Sequence, residues 1–252
     1  MFPALTQKFN RRWQFLRMTK ILVLNPNTST VVTEKVAAAI KKIARADVEV
    51  TVTQLPHGPE SLESFYDEAL AAPYSIEMVK QANQDGYDAI ILAAFCDPNL
   101  EALKEISTIP VYGIAECAYS AALLMGNMFG ILTEKKHKEA VKRHQVRKFG
   151  LESRFAGVKA LGMGVVEIAT DGQKVKEIGF MRARELMEAG AEVIVLGCAS
   201  MAGYADEMES ELGVPVIDPV SVSYKMVEGL TDLKLKHSKV GLYSRPVPQK
   251  MN

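Results

Sequence analysis

Two eleven-residue segments of the chain align with each other without a gap. They read GYDAIILAAFC (residues 86–96) and GAEVIVLGCAS (residues 190–200). Each begins with a glycine that ends a helical pattern and continues into a short apolar run typical of a buried strand. Similar runs elsewhere alternate with segments of helical length, which favours crossover connections and parallel strands. The predicted fold class is therefore α/β, with two pseudo-symmetric domains, each a mainly parallel sheet flanked by helices.

The repeat also divides the chain. Residues 19–115 are predicted as the first half and residues 116–219 as the second, and the C-terminal segment 220–252 is a further candidate part of the first half. Residues 1–18 are interpreted as an N-terminal extension. Basic and apolar residues at helical spacing occur in it without a single acid, so it is either disordered or a basic amphipathic helix for a membrane surface or a partner.

Three of the predicted helices lie close to candidate site residues. One runs from Pro73 to Asp85, a basic helix covers residues 134–148, and a third covers residues 199–212 and ends before a glycine. His137 and His144 lie two turns apart on the basic helix, and this spacing assigns them to a solvated face.

The composition excludes several classes of function. Of the 252 residues, thirty are basic and thirty acidic, so the chain offers no broad positive surface for nucleic acid. No apolar run approaches the roughly 20 residues needed to cross a bilayer. The three cysteines are an odd number without regular spacing, which argues against disulfides and for a reducing, cytoplasmic location. Glycine-rich nucleotide loops and the H-E-x-x-H zinc motif are missing, so no cofactor and no metal is expected.

Polar and small residues follow the predicted strands. Ligands of open parallel sheets bind beyond the carboxyl ends of the strands, so two facing halves would enclose one site in the cleft between them. The candidate substrate-binding residues at these ends are Asn25, Pro26, Asn27, Ser29, Phe95, Asp97, Thr133, Gly197, Ala199 and Ser200.

Cys198 is the first candidate catalytic residue. It lies between a buried strand and the predicted helix over residues 199–212. A helix N-terminus favours the thiolate, so the ordinary pKa of about 8.5 is expected to fall toward neutrality and make the thiol a usable base or nucleophile. The alternative is a small buried hydrophobe, an interpretation that suits Cys117 better.

Cys96 is the second candidate catalytic residue. It ends the equivalent strand of the first half, where Asp97 or Asn99 is expected to cap the helix over residues 100–106. Two thiols on opposite faces of a bound molecule would remove a proton from one face of a carbon and return one to the other, which is racemisation. A single important cysteine plus a loop cysteine is the alternative.

Six motifs resemble the Asp/Glu/hydantoin racemase superfamily, and within it the hydantoin and allantoin racemase branch. Four of the six are ILVLNPNTS (21–29), GYDAIILAAFCDPNLEALKEI (86–106), AEVIVLGCASMAG (191–203) and PVIDPV (215–220). The resemblance implies a cofactor-independent isomerase that acts on a small molecule, with a cleft between two similar domains and a cysteine from each. It places Cys198 in the second cysteine position and makes a homo-oligomer plausible.

The first cysteine position of that family departs from the pattern. Ala94 stands where the cysteine is expected, and Cys96 follows two residues later, about 6 to 7 Å further along an extended chain. If Cys96 does not reach the substrate, one-cysteine chemistry is the alternative: decarboxylation of a malonate-like acid or cis-trans isomerisation of an unsaturated diacid. An aspartate or glutamate racemase and a non-catalytic bilobal binding protein also stay open. A thiol redox protein is disfavoured because no Cys-x-x-Cys motif is present.

The expected activity is racemisation of 5-substituted hydantoins or a similar ureide. One thiolate would remove the proton next to the carbonyl and the opposite thiol would return one. Asn25, Thr133 and backbone N–H groups near Cys198 are expected to hold the ring oxygens. Residues 54–73 are expected to set selectivity, with Phe65 and Tyr66 either lining the site or packing in the core.

Overall fold

The fold consists of two four-stranded parallel sheets. The computed structural model describes residues 17–247. The first sheet has the order β2-β1-β3-β4 and the second the order β6-β5-β7-β8. The strands are β1 (Thr19–Asn25), β2 (Val48–Gln54), β3 (Ala89–Leu92), β4 (Val111–Gly113), β5 (Phe129–Thr133), β6 (Phe155–Ala160), β7 (Val193–Leu196) and β8 (Val216–Ile217).

Helices connect the strands of both sheets. They are α1 (Thr30–Lys41), α2 (Phe65–Gln84), α3 (Leu100–Ile106), α4 (Ile114–Met125), α5 (Lys138–Lys148), α6 (Val165–Thr170), α7 (Gly172–Glu188), α8 (Ala205–Leu212) and α9 (Pro219–Asp232). The two sheets have the same strand order, and β3 corresponds to β7, as the internal alignment predicts. The predicted α/β fold class with two similar parallel sheets is confirmed.

Both faces of the first sheet are buried. In β1, Ile21 and Val23 belong to the large core that continues into the second half, while Leu22 and Leu24 belong to a separate core under α2 and α3. Successive side chains of a strand point to opposite faces, so a continuous apolar run is required where helices cover both sides. This explains why β1 and β3 contain unbroken apolar runs, whereas β2, VEVTVTQ, alternates and is only partly buried.

The last helix returns to the first sheet. Helix α9 follows β8 of the second sheet but contacts β3, β4 and α1 of the first half, as well as α4. Asp218 begins it by accepting hydrogen bonds from the backbone N–H groups of Val220 and Ser221. The connection therefore joins the two halves a second time.

Helix α2 differs from its prediction. It begins at Phe65, and Pro73 lies inside it. Ser64 accepts a hydrogen bond from the N–H of Asp67, and the Asp67 carboxylate accepts one from the Ser64 hydroxyl in return. This N-terminal cap, with apolar packing along one face, is enough to hold the helix through the proline.

The predicted helix over residues 199–212 is wrong at its start. Residues Ala199–Met201 form a single 3₁₀ turn, and α8 begins only at Ala205. Between them Gly203 has a φ of 86°, in the left-handed region that no helix continues through, and its N–H donates to Asp218. Cys198 therefore precedes a turn and not a helix.

The prediction for the N-terminal extension concerns residues 1–18, of which residues 1–16 lie outside the described part of the chain. Arg17, the first described residue, forms an exposed ion pair with Asp88 at the edge of the first sheet. Among residues 17–247, no helix combines the length and apolar character that crossing a membrane would require.

Candidate active site

One cavity lies where the two sheets face each other beyond their strand ends. It contains about 410 Å³ of space free of protein atoms, its open mouth included. The first half contributes Asn27, Val32, Leu62 and Ala93–Cys96, and the second half contributes Glu134, Lys138, Lys142, Val165 and Gly197–Ser200.

The structure brings most of the sequence-predicted residues to this cavity. Those on its wall are Asn27, Phe95, Cys96, Gly197, Cys198, Ala199 and Ser200. Those that do not line it are Asn25, Pro26, Ser29, Asp97 and Thr133, all of which are buried. Both candidate cysteines thus line the same cavity, one from each half of the chain.

The turn that carries Cys198 depends on a glycine. The N–H of Gly197 donates to the carbonyl of Leu132 on β5 at 2.7 Å. A β-carbon at Gly197 would lie 2.4 Å from that same carbonyl oxygen, so no other residue fits without moving the backbone. The close approach of the two strand ends fixes where Cys198 projects.

The thiol of Cys198 is only 7% exposed and lies 2.8 Å from the hydroxyl oxygen of Ser200. Burial raises its pKa to about 11, and the nearby Glu134 carboxylate adds to the increase. Ser200 and the more distant Lys142 act in the opposite direction and favour the thiolate. The predicted fall of this pKa toward neutrality is wrong, because the helix N-terminus that was to cause it does not exist and burial dominates.

Cys96 reaches the same cavity through a tight turn. The N–H of Asp97 donates to the carbonyl of Ala94 at 2.9 Å, and Asp97 has a φ of 46°. Aspartate and asparagine tolerate this left-handed conformation better than most residues. The chain therefore curls directly after the β3 extension, so that Ala94 and Cys96 both line the cavity.

Asp97 does not cap the helix it was predicted to cap. Its carboxylate accepts hydrogen bonds from the N–H groups of Ala115 (3.0 Å) and Glu116 (2.9 Å) at the start of α4. A β-carbon at Gly113 would lie 2.2 Å from the carboxylate carbon, so the glycine makes room for it. Burial and the Glu116 charge raise the pKa of Asp97 to about 7, although the two N–H groups oppose the increase.

Asn99 does not cap α3 with its side chain either. It has a φ of 56°, and its amide instead donates to the carbonyl of Glu68 on α2 at 2.9 Å. The turn after Cys96 is consequently fixed to α2 as well as to α4.

Cys96 also lines a second cavity, of about 600 Å³, on its other side. Burial raises the pKa of its thiol well above the ordinary value, and the Glu68 carboxylate, which also lines the second cavity, adds to this. The positive charges of Lys142 and Lys138 act against the increase. Cys96 thus stands between two cavities with a carboxylate on one side and two ammonium groups nearby.

Phe95 joins the Cys96 turn to the opposite half. Its carbonyl accepts a hydrogen bond from the amide of Gln145 on α5 at 2.9 Å. Its ring packs edge-on against Tyr119, with centroids 5.5 Å apart, and the Tyr119 hydroxyl donates to the same glutamine. The position of Cys96 is therefore set by contacts from both halves.

The asparagines of the first strand end have different surroundings. The amide nitrogen of Asn25 donates to Asn27 and to Thr33, at 2.9 Å and 3.0 Å, behind the cavity wall. The side-chain oxygen of Asn27 accepts from Asn25 and from the N–H of Ser29. Within residues 17–247 the amide nitrogen of Asn27 has no acceptor, so it is the donor of this turn that a ligand can use.

Thr133 is buried beneath the site. Its hydroxyl donates to the Glu134 carboxylate at 2.6 Å. The pKa of Glu134 is pushed up by burial, but the charge of Lys142, this hydroxyl and Lys138 outweigh burial and leave it below its usual value. Thr133 accordingly supports a cavity-lining carboxylate from behind.

Two buried lysines of α5 line the cavity, and sequence reasoning missed them. Lys138 and Lys142 are 1% and 2% exposed, whereas His137 and His144 of the same helix are exposed, as predicted. The only available signal was their spacing of four residues on the face that also carries Val146.

The predicted selectivity segment is divided. Leu62 lines the first cavity, and Phe65 lines the second. Tyr66 is 70% exposed, so it belongs to neither the cavity wall nor the core.

The comparisons with known proteins agree with the motifs in the sequence. The family described as Asp/Glu/Hydantoin racemase matches residues 21–227. The hydantoin racemase of Pseudomonas sp. (strain NS671) is 36% identical over 228 residues, which cover 90% of this chain and 92% of that protein. The hydantoin racemase of Paenarthrobacter aurescens is 37% identical over 229 residues, covering 90% and 97%. The resemblance inferred from the motifs is confirmed.

A solved structure extends the similarity to three dimensions. The allantoin racemase from Klebsiella pneumoniae superimposes with a TM-score of 0.88 at 35% sequence identity, covering 93% of this chain and 96% of that one. The similarity therefore includes both sheets.

Proposed function

Because the chain belongs to the Asp/Glu/hydantoin racemase family and is a racemase of that family, we propose that it interconverts the enantiomers of a 5-substituted hydantoin or a similar cyclic ureide. The observation that carries the proposal is that Cys96 and Cys198, one from each half, line one cavity. Two acid/base groups on opposite sides of a bound carbon are what racemisation requires.

The proposed reaction needs only the two thiols. The Cys198 thiolate removes the proton from C5 of the ring, and the electron pair of the C–H bond moves into an enolate on the adjacent carbonyl. The Cys96 thiol then gives its proton to the opposite face of C5. The ring leaves with inverted configuration, and the negative charge has passed from Cys198 to Cys96. Proton exchange of both sulfurs with solvent then restores the thiolate at Cys198 and the thiol at Cys96 for the next turnover.

The surroundings of the two thiols support this assignment of roles. Burial raises the pKa of both thiols, a carboxylate adds to the increase at each (Glu134 at Cys198, Glu68 at Cys96), and Lys142 opposes it at both. The hydroxyl of Ser200 favours the thiolate at Cys198 alone. One thiolate facing one thiol is the protonation state from which a two-base racemase starts.

Ring oxygens need hydrogen-bond donors that become more effective as the enolate forms. We assign this role to the amide nitrogen of Asn27, because its own oxygen is already engaged and the residue lines the cavity. Backbone N–H groups of the Gly197–Ser200 turn are the second candidate donors. Donors that are held in place before the reaction stabilise developing charge without reorganising.

Deuterium exchange tests the proposed reaction. An enantiopure 5-substituted hydantoin incubated with the protein in heavy water is expected to gain deuterium at C5 while its optical rotation decays. A parallel panel of allantoin, aspartate, glutamate and an arylmalonate defines the substrate class. Absence of exchange from every hydantoin and from allantoin, even at high protein concentration, would contradict the proposal and favour a binding protein.

The rate is expected to rise with pH. The pKa of Cys198 is about 11, so at neutral pH only a small fraction of the thiol is ionised. Between about pH 7 and pH 9 that fraction, and with it kcat/KM, is expected to increase about tenfold per pH unit. Polarimetry at a series of pH values measures this, with the uncatalysed racemisation at each pH subtracted. A flat profile would contradict a base of this pKa.

A further inference from the structure

Two ammonium groups are buried in the cavity wall. Lys138 and Lys142 lie four residues apart on α5, which places them on one face of the helix, and both line the cavity beside Cys96 and Cys198. Burying an ammonium costs several kcal/mol unless a counter-charge and hydrogen bonds compensate. Their partners therefore show whether the charge is satisfied from within.

The close partners of both lysines are neutral. The Lys138 ammonium donates to the carbonyl of Leu62 at 3.0 Å. The Lys142 ammonium donates to the carbonyl of Phe95 at 3.5 Å and lies 4.7 Å from the centroid of the Phe95 ring. In the described part of the chain, no carboxylate oxygen lies within 4.0 Å of either ammonium nitrogen, so neither lysine forms an ion pair.

Four other basic residues on and beside α5 are paired with carboxylates, whereas Arg143 lies over the ring of Phe155. Lys135 forms an ion pair with Glu63, Lys136 with Glu139, Arg147 with Glu152 and Lys148 with Glu101. These four pairs lie toward the surface, where a counter-charge contributes little. Within residues 17–247, carboxylates thus lie at contact distance from four basic residues on the solvent side of the helix and from neither lysine on its cavity side.

The remaining charges leave the cavity wall positive. Among the described residues, Glu134 is the one carboxylate that lines this cavity with the two lysines. Glu68 stands beyond Cys96 on the second cavity; burial raises its pKa, and the charges of Lys138 and Lys142 oppose the increase. While Cys198 is in its thiol form, the wall of the first cavity therefore has one positive charge in excess, which an entering anion compensates.

We propose that the substrate carries a carboxylate, which Lys138 and Lys142 bind. The ring and the reacting carbon follow from the proposed function, on which this inference rests; the charged substituent follows from the two lysines. The substrate class is then a 5-substituted hydantoin or similar ureide whose substituent ends in an acid. The lysines bind the carboxylate and exchange no proton with the substrate, although the charge of Lys142 also favours the Cys198 thiolate.

A matched pair of ligands isolates the charge. Hydantoin-5-propionate and hydantoin-5-propionamide have the same ring and nearly the same shape, and only the first is an anion. Calorimetric titration measures Kd for each, and polarimetry measures KM and kcat. The anion is expected to bind about tenfold or more tightly, because hydrogen bonds to a charged group contribute more than those to a neutral one.

Three variants locate the effect. Lys138→Met and Lys142→Met keep the length and apolar stem of the side chain and remove the charge. Each is expected to raise Kd for the propionate about tenfold and to leave Kd for the propionamide within about twofold. Because Lys142 also favours the Cys198 thiolate, kcat of Lys142→Met is expected to fall for both ligands, and Kd alone tests the inference with that variant. Lys136→Met removes an exposed lysine of the same segment and is expected to leave Kd for both ligands unchanged.

The outcomes separate this inference from the proposed function. The carboxylate inference is overturned if both hydantoins racemise with equal KM, or if the two lysine variants change Kd equally for both ligands. Racemisation stands in either case. If neither exchanges its C5 proton, the proposed function fails. Titration then still decides the inference, because equal Kd values for the two ligands overturn it and a Lys-dependent preference for the anion supports it. Should either variant be unstable, Lys142→Gln or Lys138→Gln replaces it with a side chain that retains a donor.

Discussion

The Cys198→Ala variant is expected to lose racemisation by about 10³-fold or more, within the range that removal of an acid/base group produces. Cys198 lines the cavity, and in the proposed reaction it is the group that removes the C5 proton. Decay of optical rotation of an enantiopure hydantoin, followed at high protein concentration, measures the residual rate. C5 deuterium exchange is expected to fall to the same extent.

Cys117 provides the matched control for this substitution. It is a buried cysteine in α4 that does not line the cavity. Cys117→Ala is expected to retain near-normal turnover, with at most a modest loss of stability for one removed sulfur. Near-normal turnover in Cys198→Ala would instead remove Cys198 from the mechanism, and with it the proposed role of the second half of the cavity.

The Cys96→Ala variant is expected to separate exchange from inversion. With the second thiol gone, racemisation should fall about 10² to 10⁴-fold. Cys198 remains able to remove and return a proton on its own face, so one enantiomer should still exchange its C5 proton with heavy water without inverting. Nuclear magnetic resonance of each enantiomer, combined with chiral chromatography, records the two processes separately.

Unchanged racemisation in Cys96→Ala would show that the reaction needs one cysteine only. That result would make the displacement of the thiol from position 94 functionally decisive and would favour the one-cysteine chemistries. Decarboxylation of an arylmalonate by the wild-type protein, scored as loss of carbon dioxide, distinguishes that alternative directly.

Much of the fold could be predicted because its strands are buried on both faces. The run from Ile21 to Leu24 has no polar position, and only a sheet covered by helices on both sides uses such a run. The internal alignment added the second sheet, since β3 and β7 occupy equivalent positions in two identical strand orders. These signals are local and repeated, so a single sequence is enough to show them.

The errors fell where tertiary contacts override local preference. Pro73 suggested a helix start, but the cap at Ser64 lies nine residues earlier and holds the helix through it. Residues 199–204 have helix-forming side chains, yet Gly203 adopts a left-handed φ and its N–H is held by Asp218 from α9. Asp218 is too far away in sequence for a local pattern to reveal it, whereas Ser64 and Asp67 form a local capping pattern that Pro73 outweighed in the prediction.

The candidate site was predicted in part for the same reason. Strand ends mark their residues by position, so the sequence alone places Asn27, Cys96 and Cys198 on a common edge. Lys138 and Lys142 could not be placed there, because a helix with so many basic residues has the composition of a solvated surface. Only the packing of α5 over the loops of the first half shows that the side chains of Lys138 and Lys142 line the cavity.

The hydrogen bond from Gln145 to the Phe95 carbonyl ties the reactive loop of one lobe to a helix of the other. A substrate that entered by separating the two halves at this edge would lengthen that hydrogen bond. Because Cys96 directly follows Phe95, its thiol would be displaced as well. Substrate entry by this route and proton transfer by Cys96 would then exclude each other, because Cys96 returns to its position only when the two halves close again.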